Sequence, residues 1–112
     1  MKLKKITFAK EIKEIQAKKD RLWRSDLGFF LIRINPEKER IEVGFCNPKF
    51  VMTHVITGKN PESIYRTIIR KKLISRFEHA AYLGMELEKA YVSLKLGLPY
   101  VQDSRVNLKK KK

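Results

Sequence analysis

One segment near the C-terminus constrains the fold more than any other part of the chain. Residues 76–96 carry apolar side chains at three- and four-residue intervals, which predicts one long helix of about 30 Å. Ser75 and Glu78 match a capping box at its start, and Gly97 followed by Pro99 predicts its end. Because apolar or small residues lie on more than one side of this helix, we expect other elements to cover much of its girth.

Strand patterns lie upstream of this helix. Residues 28–34 are aromatic and β-branched, residues 40–46 alternate between apolar and polar side chains, and residues 50–57 form a third run. Segments containing Asn-Pro separate the runs, which favours turns and antiparallel pairing. A three-stranded antiparallel sheet of this kind has to be covered by helices on at least one face.

Two further helices are predicted. Residues 7–19 place apolar side chains at helical spacing behind Thr7, which can act as an N-cap. Another helix opens at Pro61, with Asn60 as its N-cap. The sequence therefore predicts a single α+β domain over residues 1–104, with the element order α-β-β-β-α-α.

The chain is strongly basic, with 26 Lys and Arg residues against 12 Asp and Glu residues and a net charge of +14. Much of the excess lies at the two ends, and residues 105–112 are predicted to form a basic, disordered tail. The single cysteine, Cys46, allows no intramolecular disulfide. No signal peptide and no membrane-spanning run is recognisable, so a cytoplasmic location is expected. Abundant Lys, Glu and Ile residues favour a thermophilic source.

Placing the long helix at about 100° per residue gives it three sides. The side predicted to face the core carries Ala80, Leu83, Gly84, Leu87, Ala90, Tyr91 and Leu94. A polar and aromatic stripe beside it carries His79, Tyr82, Glu86, Lys89 and Ser93. The third side carries Ala81, Met85 and Val92. Gly84 costs the helix about 1 kcal/mol relative to alanine, which suggests that another backbone or a ligand comes close to it.

The polar stripe has two interpretations. In the first, His79 bonds locally, Tyr82 is half-buried, and Glu86 with Lys89 forms a surface ion pair of little energetic value. In the second, His79 and Glu86 flank Tyr82 at the mouth of a pocket and hold a heterocycle by stacking and carboxylate hydrogen bonds. Spacing alone favours the first.

The stretch that includes "HAAYLG" (residues 79–84) and "YVQD" (residues 100–103) resembles the signature of an uncharacterised domain family. Domains of that family are usually fused behind a pterin-binding barrel related to dihydropteroate synthase, and some members are labelled as tetrahydromethanopterin methyltransferase-like. The similarity extends upstream to Trp23 and Asp26, and so covers most of the chain. Two positions depart from the family pattern: Met85 replaces an arginine, and Tyr91 replaces a polar residue.

The resemblance implies a ligand site and a partner. The candidate ligand-binding residues that match the motif are His79, Tyr82, Gly84, Glu86, Gln102 and Asp103. The implied ligand is a reduced pterin of the tetrahydrofolate or tetrahydromethanopterin type, and the implied partner is a separate pterin-binding barrel protein. The chain would then be an accessory or ligand-binding domain of one-carbon metabolism that is not catalytic on its own.

A basic cluster supports an alternative function, that of a small nucleic-acid-binding protein. The cluster consists of Arg66, Arg70, Lys71, Lys72 and Arg76, without an acidic residue between them. It could also bind the anionic tail of a cofactor, or simply follow the preference for cations at the end of a helix.

Catalysis and metal binding have little support in the sequence. Only His79 and Glu86 have acid–base character at a suitable spacing, and no nucleophile accompanies them. Cys46, His54 and His79 lack the paired spacing of a metal site, so no metal is expected.

The third side of the long helix leads to a prediction about assembly. One small sheet and two other helices can cover only part of such a helix, and Ala81, Met85 and Val92 would remain exposed. We therefore expect a homodimer with Met85 close to a two-fold axis, unless the N-terminal helix folds back over this side within one chain.

Overall fold

The computed structural model describes residues 8–18, 24–25 and 27–102. The helices are Ala9–Lys18 (α1), Pro61–Arg70 (α2) and Phe77–Leu96 (α3). The strands are Arg24–Ser25 (β1), Gly28–Asn35 (β2), Arg40–Cys46 (β3) and Met52–Gly58 (β4). The predicted α+β class and the three long strands are confirmed, whereas β1 was missed because two residues show no periodicity. Predictions for Thr7, Trp23, Asp26, Asp103 and residues 105–112 fall outside the described residues.

The four strands form one antiparallel sheet in the order β1-β2-β3-β4. The register between the two central strands places Phe30 opposite Phe45 and Ile32 opposite Val43. These side chains share one face, because alternate residues of a strand point the same way. The opposite face of β2 carries Phe29 and Leu31.

Each face of the sheet has its own apolar core. On one face, α2 and α3 cover the aromatic and branched residues of β2 and β3, and Ile64, Ile68, Leu83 and Leu87 are buried there. On the other face, Phe8 beside the start of α1 packs with Phe29, Leu31 and Cys46. The sheet is therefore sandwiched between helices.

Gly44 makes the second core possible. A methyl group on Gly44 would lie 2.9 Å from a ring carbon of Phe8 and 2.8 Å from the sulfur of Met52. Those distances are shorter than van der Waals contact, so a larger residue would push Phe8 away from the sheet.

A buried carboxylate ties α1 to the sheet. Glu42 accepts hydrogen bonds from Arg33, Asn35 and Arg40, and Arg33 also reaches Glu11 of α1 at 3.0 Å. Burial works against ionisation of Glu42, but these hydrogen bonds outweigh it and keep the pKa of the carboxyl below its ordinary value. The guanidinium of Arg33 also lies 4.1 Å from the ring centre of Phe8.

The helix ends were predicted with mixed success. Asn60 is the N-cap of α2, where its side chain accepts a hydrogen bond from the Ser63 amide, and Gly97 ends α3 with a φ of 72°. The N-cap of α3 is Arg76, one residue after the Ser75 that the sequence predicts, and Arg76 makes no side-chain capping hydrogen bond. In the described part of the chain, no helix is long and apolar enough to cross a membrane.

Candidate functional site

The face that α3 turns towards the sheet is more polar than its sequence predicts. Its buried residues are His79, Tyr82, Leu83, Glu86, Leu87 and Ala90. His79 and Glu86 are both 0% exposed. The inward face is therefore rotated towards the polar stripe, so that His79, Tyr82 and Glu86 lie beneath other residues. Lys89 and Ser93 of the same stripe instead line an open groove.

His79 lies in the first turn of α3 against the sheet. Its ring centre is 4.9 Å from that of Phe30 on β2. Burial penalises the charged imidazolium and lowers the pKa of His79 to about 4. The ring is therefore neutral near pH 7, and its role there is apolar contact more than proton transfer.

Residues 98–102, which we call the strap, return from the end of α3 to the edge of the sheet. Their anchor is the side-chain amide of Gln102. Its Nε2 donates to the carbonyl oxygen of Phe30 at 3.0 Å and to the hydroxyl of Tyr82 at 2.7 Å. Its Oε1 accepts from the backbone N–H of Ile32 at 2.8 Å. One carboxamide thus continues the hydrogen bonding of β2 where pairing with β1 stops.

Glu86 holds the middle of the strap. One carboxylate oxygen accepts from the hydroxyl of Tyr100 at 2.6 Å, and the other accepts from the ammonium of Lys89 at 3.1 Å. Lys89 is exposed while Glu86 is fully buried, so the ion pair runs from the interior to the surface. The charge of Glu86 is balanced inside the fold.

Of the six predicted ligand-binding residues, three are brought together around the strap. Tyr82, Glu86 and Gln102 meet around the strap, with His79 one turn away on the same face. Gly84 lies elsewhere on the helix, and Asp103 is outside the described residues. Tyr100 was missed as a site residue, although it belongs to the "YVQD" motif and its hydroxyl is a donor that a buried carboxylate requires.

The outward face of α3 borders two open grooves. The α2–α3 groove, about 500 Å³, includes Tyr65, Phe77, Ala81 and Gly84 in its lining. The α3–strap groove, about 610 Å³, includes Val92, Pro99, Tyr100 and Val101. Met85 and Glu88 line both. A methyl group on Gly84 would meet no atom within 4 Å beyond the adjacent backbone of its own helix.

The five residues of the basic cluster are exposed at the end of α2 and the turn into α3. Arg66 pairs with Glu62 at 2.8 Å, and Arg76 lies 3.8 Å from Glu78. These carboxylates offset part of the local charge. Within the described residues, no group of three or more His, Cys, Asp or Glu side chains could hold a metal ion.

Comparison of the sequence with known proteins identifies its family. The model of the PterinBD-DUF4346 family matches residues 24–103, which include the sheet, α2, α3 and the strap. The chain belongs to the PterinBD-DUF4346 family. The name of the family joins a pterin-binding domain to a domain of unknown function, and the polar residues around the strap lie within the matched range.

One curated relative shares nearly the whole chain. The uncharacterized protein MJ0107 of Methanocaldococcus jannaschii is 38% identical over 99 residues, or 88% of this chain. The match covers 19% of MJ0107, so this PterinBD-DUF4346 chain spans about a fifth of the length of its relative. No solved structure matches the chain.

Proposed function

We propose that this chain is an accessory module of a pterin-binding protein, and that it binds a reduced pterin without catalysing a reaction on its own. The observation that carries the proposal is that Gln102 joins Tyr82 to the outer edge of β2, while Glu86 holds Tyr100 of the same strap. Membership of the PterinBD-DUF4346 family supports the choice of ligand class.

The hydrogen-bonding pattern at this edge suits the ring of a pterin. The carboxamide of Gln102 presents one acceptor and two N–H donors to the Ile32 amide, the Phe30 carbonyl and the Tyr82 hydroxyl. The pyrimidinone edge of a pterin also presents a carbonyl oxygen beside a ring N–H and an exocyclic amine. We propose that the pterin takes the place of Gln102 when the strap moves aside, and that Glu86, released from Tyr100, accepts a further N–H of the ligand.

The chemistry of the same residues favours binding over catalysis. Near pH 7, His79 is neutral because its pKa is about 4, and it faces the ring of Phe30. Glu86 already accepts hydrogen bonds from Tyr100 and Lys89. A general acid or base needs a pKa near the working pH and access to the reacting atom.

Calorimetric titration with tetrahydrofolate and tetrahydromethanopterin tests this proposal. Gln102→Ala empties the β2 edge and is expected to bind the pterin more tightly than the unaltered chain, while Gln102→Ala combined with Tyr82→Phe loses part of that gain. Circular dichroism confirms that each variant is folded. No heat of binding at millimolar pterin, for either the unaltered chain or Gln102→Ala, would show that the β2 edge is not a pterin site.

The exposed basic cluster supports a second candidate function, nucleic-acid binding. All five of its residues are exposed, and they extend from the middle of α2 to the N-cap of α3. If nucleic acid binds there, affinity falls steeply as salt rises and remains after residues 105–112 are removed. Loss of binding on removal of those residues would instead assign it to a non-specific basic tail.

A further inference from the structure

The outward face of α3 is an unusual surface for so small a domain. Phe77 is 83% exposed, Met85 51% and Leu96 65%, and Val92 is also exposed. Met85, Val92 and Leu96 lie along one side of the helix at intervals close to whole turns, and Phe77 lies about 80° around the helix from Met85. The two grooves described above border this line, so apolar residues and open grooves form one continuous surface. Surfaces of this kind mark sites of protein interaction.

Gly84 leaves open space on the α2–α3 groove. A glycine inside a helix costs about 1 kcal/mol relative to alanine. Nothing among the described residues approaches the position where its side chain would be, so no contact within the fold compensates for that cost. The groove lined by Gly84, Ala80 and Ala81 therefore has space for a side chain from another polypeptide.

Two features distinguish a different polypeptide from a second copy of this chain. The net charge of +14 makes two copies repel each other. The relative MJ0107 carries about four-fifths of its length outside the matched segment, so in that protein the equivalent domain is covalently joined to a much larger polypeptide. We propose that the outward face of α3 docks onto the polypeptide equivalent to this unmatched part of MJ0107. This inference rests on the proposed function, because it identifies that polypeptide with the pterin-binding partner.

The lining of the α2–α3 groove defines the chemistry of the docking partner. Its charged side chains are the carboxylates of Glu62 and Glu88. Glu62 is already paired with Arg66, so a matching surface inserts an apolar side chain over Gly84 and places a lysine or arginine near Glu88. The exposed ring of Phe77 would be covered at the rim of the same contact.

Cysteine labelling tests the docking face in a chimera in which this chain replaces the matched segment of MJ0107. Met85→Cys reports on the face, and Val51→Cys is the matched control, since the two native side chains are 51% and 55% exposed. The native Cys46 gives little background, because it is buried and burial raises its pKa to about 11. Labelling with a maleimide is followed by mass spectrometry of peptides.

We expect the thiol introduced by Met85→Cys to react at least ten times more slowly in the chimera than in the isolated chain. The thiol introduced by Val51→Cys is expected to react at the same rate in both. Equal rates for the Met85→Cys thiol in a folded chimera and in the isolated chain would overturn the inference. If the chimera does not fold, the two variants are labelled in the presence of MJ0107 lacking its matched segment, and the same comparison applies.

Further outcomes separate docking of this face from self-association and from the proposed pterin site. A dimeric mass for the isolated chain in sedimentation, lost in Met85→Glu but not in Val51→Glu, would assign the face to a second copy and overturn the inference. Protection of the Met85→Cys thiol without any pterin binding would support docking while contradicting the proposed ligand site. Pterin binding without protection would do the reverse.

Discussion

At the residue scale, His79 is held in an environment that opposes its protonation. The ring is fully buried against Phe30, and its pKa is about 4 compared with 6.5 for an unperturbed histidine. As pH falls below 6.5, the unfolded chain takes up a proton that the folded chain does not. Stability from this source is therefore complete above pH 6.5 and is lost as pH falls towards 4.

The first prediction follows from this difference. Between pH 6.5 and pH 5, the free energy of unfolding is expected to fall by about 1.5 kcal/mol through His79 alone. Urea titrations at a series of pH values measure it. His79→Phe removes the decrease, whereas His54→Phe, which alters a partly exposed histidine on β4, retains it. A decrease of equal size in His79→Phe would contradict the assignment.

Tyr82, Glu86 and Gln102 were three of the six residues that the family resemblance selected, and the structure joins Tyr82 to Gln102 and Glu86 to Tyr100 of the strap. The full burial of Glu86 was not predicted, because placing residues on a helical wheel assumes that the most apolar side turns inward. Glu86 can turn inward because Tyr100 and Lys89 satisfy its carboxylate, and neither contact can be read from periodicity.

At the element scale, α3 carries a glycine, Gly84, at a position where the helix faces open space. The second prediction is that Gly84→Ala raises the free energy of unfolding of the isolated chain by about 1 kcal/mol, because alanine favours the helix and its methyl group meets no other residue. Denaturant titration measures the change. Gly44→Ala is the matched control and is expected to destabilise the fold, since its methyl group would collide with Phe8 and Met52.

Gly84→Ala also reports on docking. In the chimera with MJ0107, an added methyl group at position 84 is expected to weaken the protection of the Met85→Cys thiol, even though it stabilises the isolated helix. A stabilised helix with unchanged protection would place the close contact elsewhere on α3.

The strap provides the third prediction. Gln102→Ala removes the acceptor for the Ile32 N–H, so exchange of that backbone hydrogen with solvent is expected to become at least ten times faster. The Leu31 amide is the internal control, because it points to the opposite side of β2, towards β3. Amide exchange followed by nuclear magnetic resonance resolves the two positions. Equal acceleration of both amides would indicate general unfolding instead of local release of the strap.

Elements with strong local patterns were predicted well, and those defined by distant contacts were not. β3 alternates along its length, and α2 begins at Asn60 and Pro61, so both followed from sequence. The start of α3 was placed one residue too early, because the spacing of Ser75 and Glu78 favours Ser75 as the N-cap whereas the N-cap is Arg76. The strap was not foreseen, because Gln102 and Ile32 are 70 residues apart.

At the scale of the whole molecule, the sheet separates two apolar cores that can unfold independently. The core beneath α1 is the smaller, and it depends on Phe8 packing over Gly44. The core beneath α2 and α3 contains most of the buried residues. The division suggests that α1 can detach while the rest of the domain stays folded.

The fourth prediction tests that division. Phe8→Ala is expected to cost about 3–5 kcal/mol of local stability, because it removes a fully buried aromatic ring. Cys46 then becomes accessible, and its reaction with a thiol reagent at pH 8 is expected to accelerate at least tenfold. Far-ultraviolet circular dichroism should still show the sheet, α2 and α3. Leu98→Ala is the control, because it shortens an exposed apolar side chain and should leave Cys46 unreactive.

The attachment of Gln102 to the outer edge of β2 also affects how the protein behaves at high concentration. An unpaired strand edge invites strands of other molecules to add to it, and this is a common route to aggregation. Here a side-chain amide occupies the backbone groups of Phe30 and Ile32 that an incoming strand would need. A ligand that displaces the strap would have to hydrogen-bond to the same backbone groups. Otherwise the opened strand edge would promote aggregation.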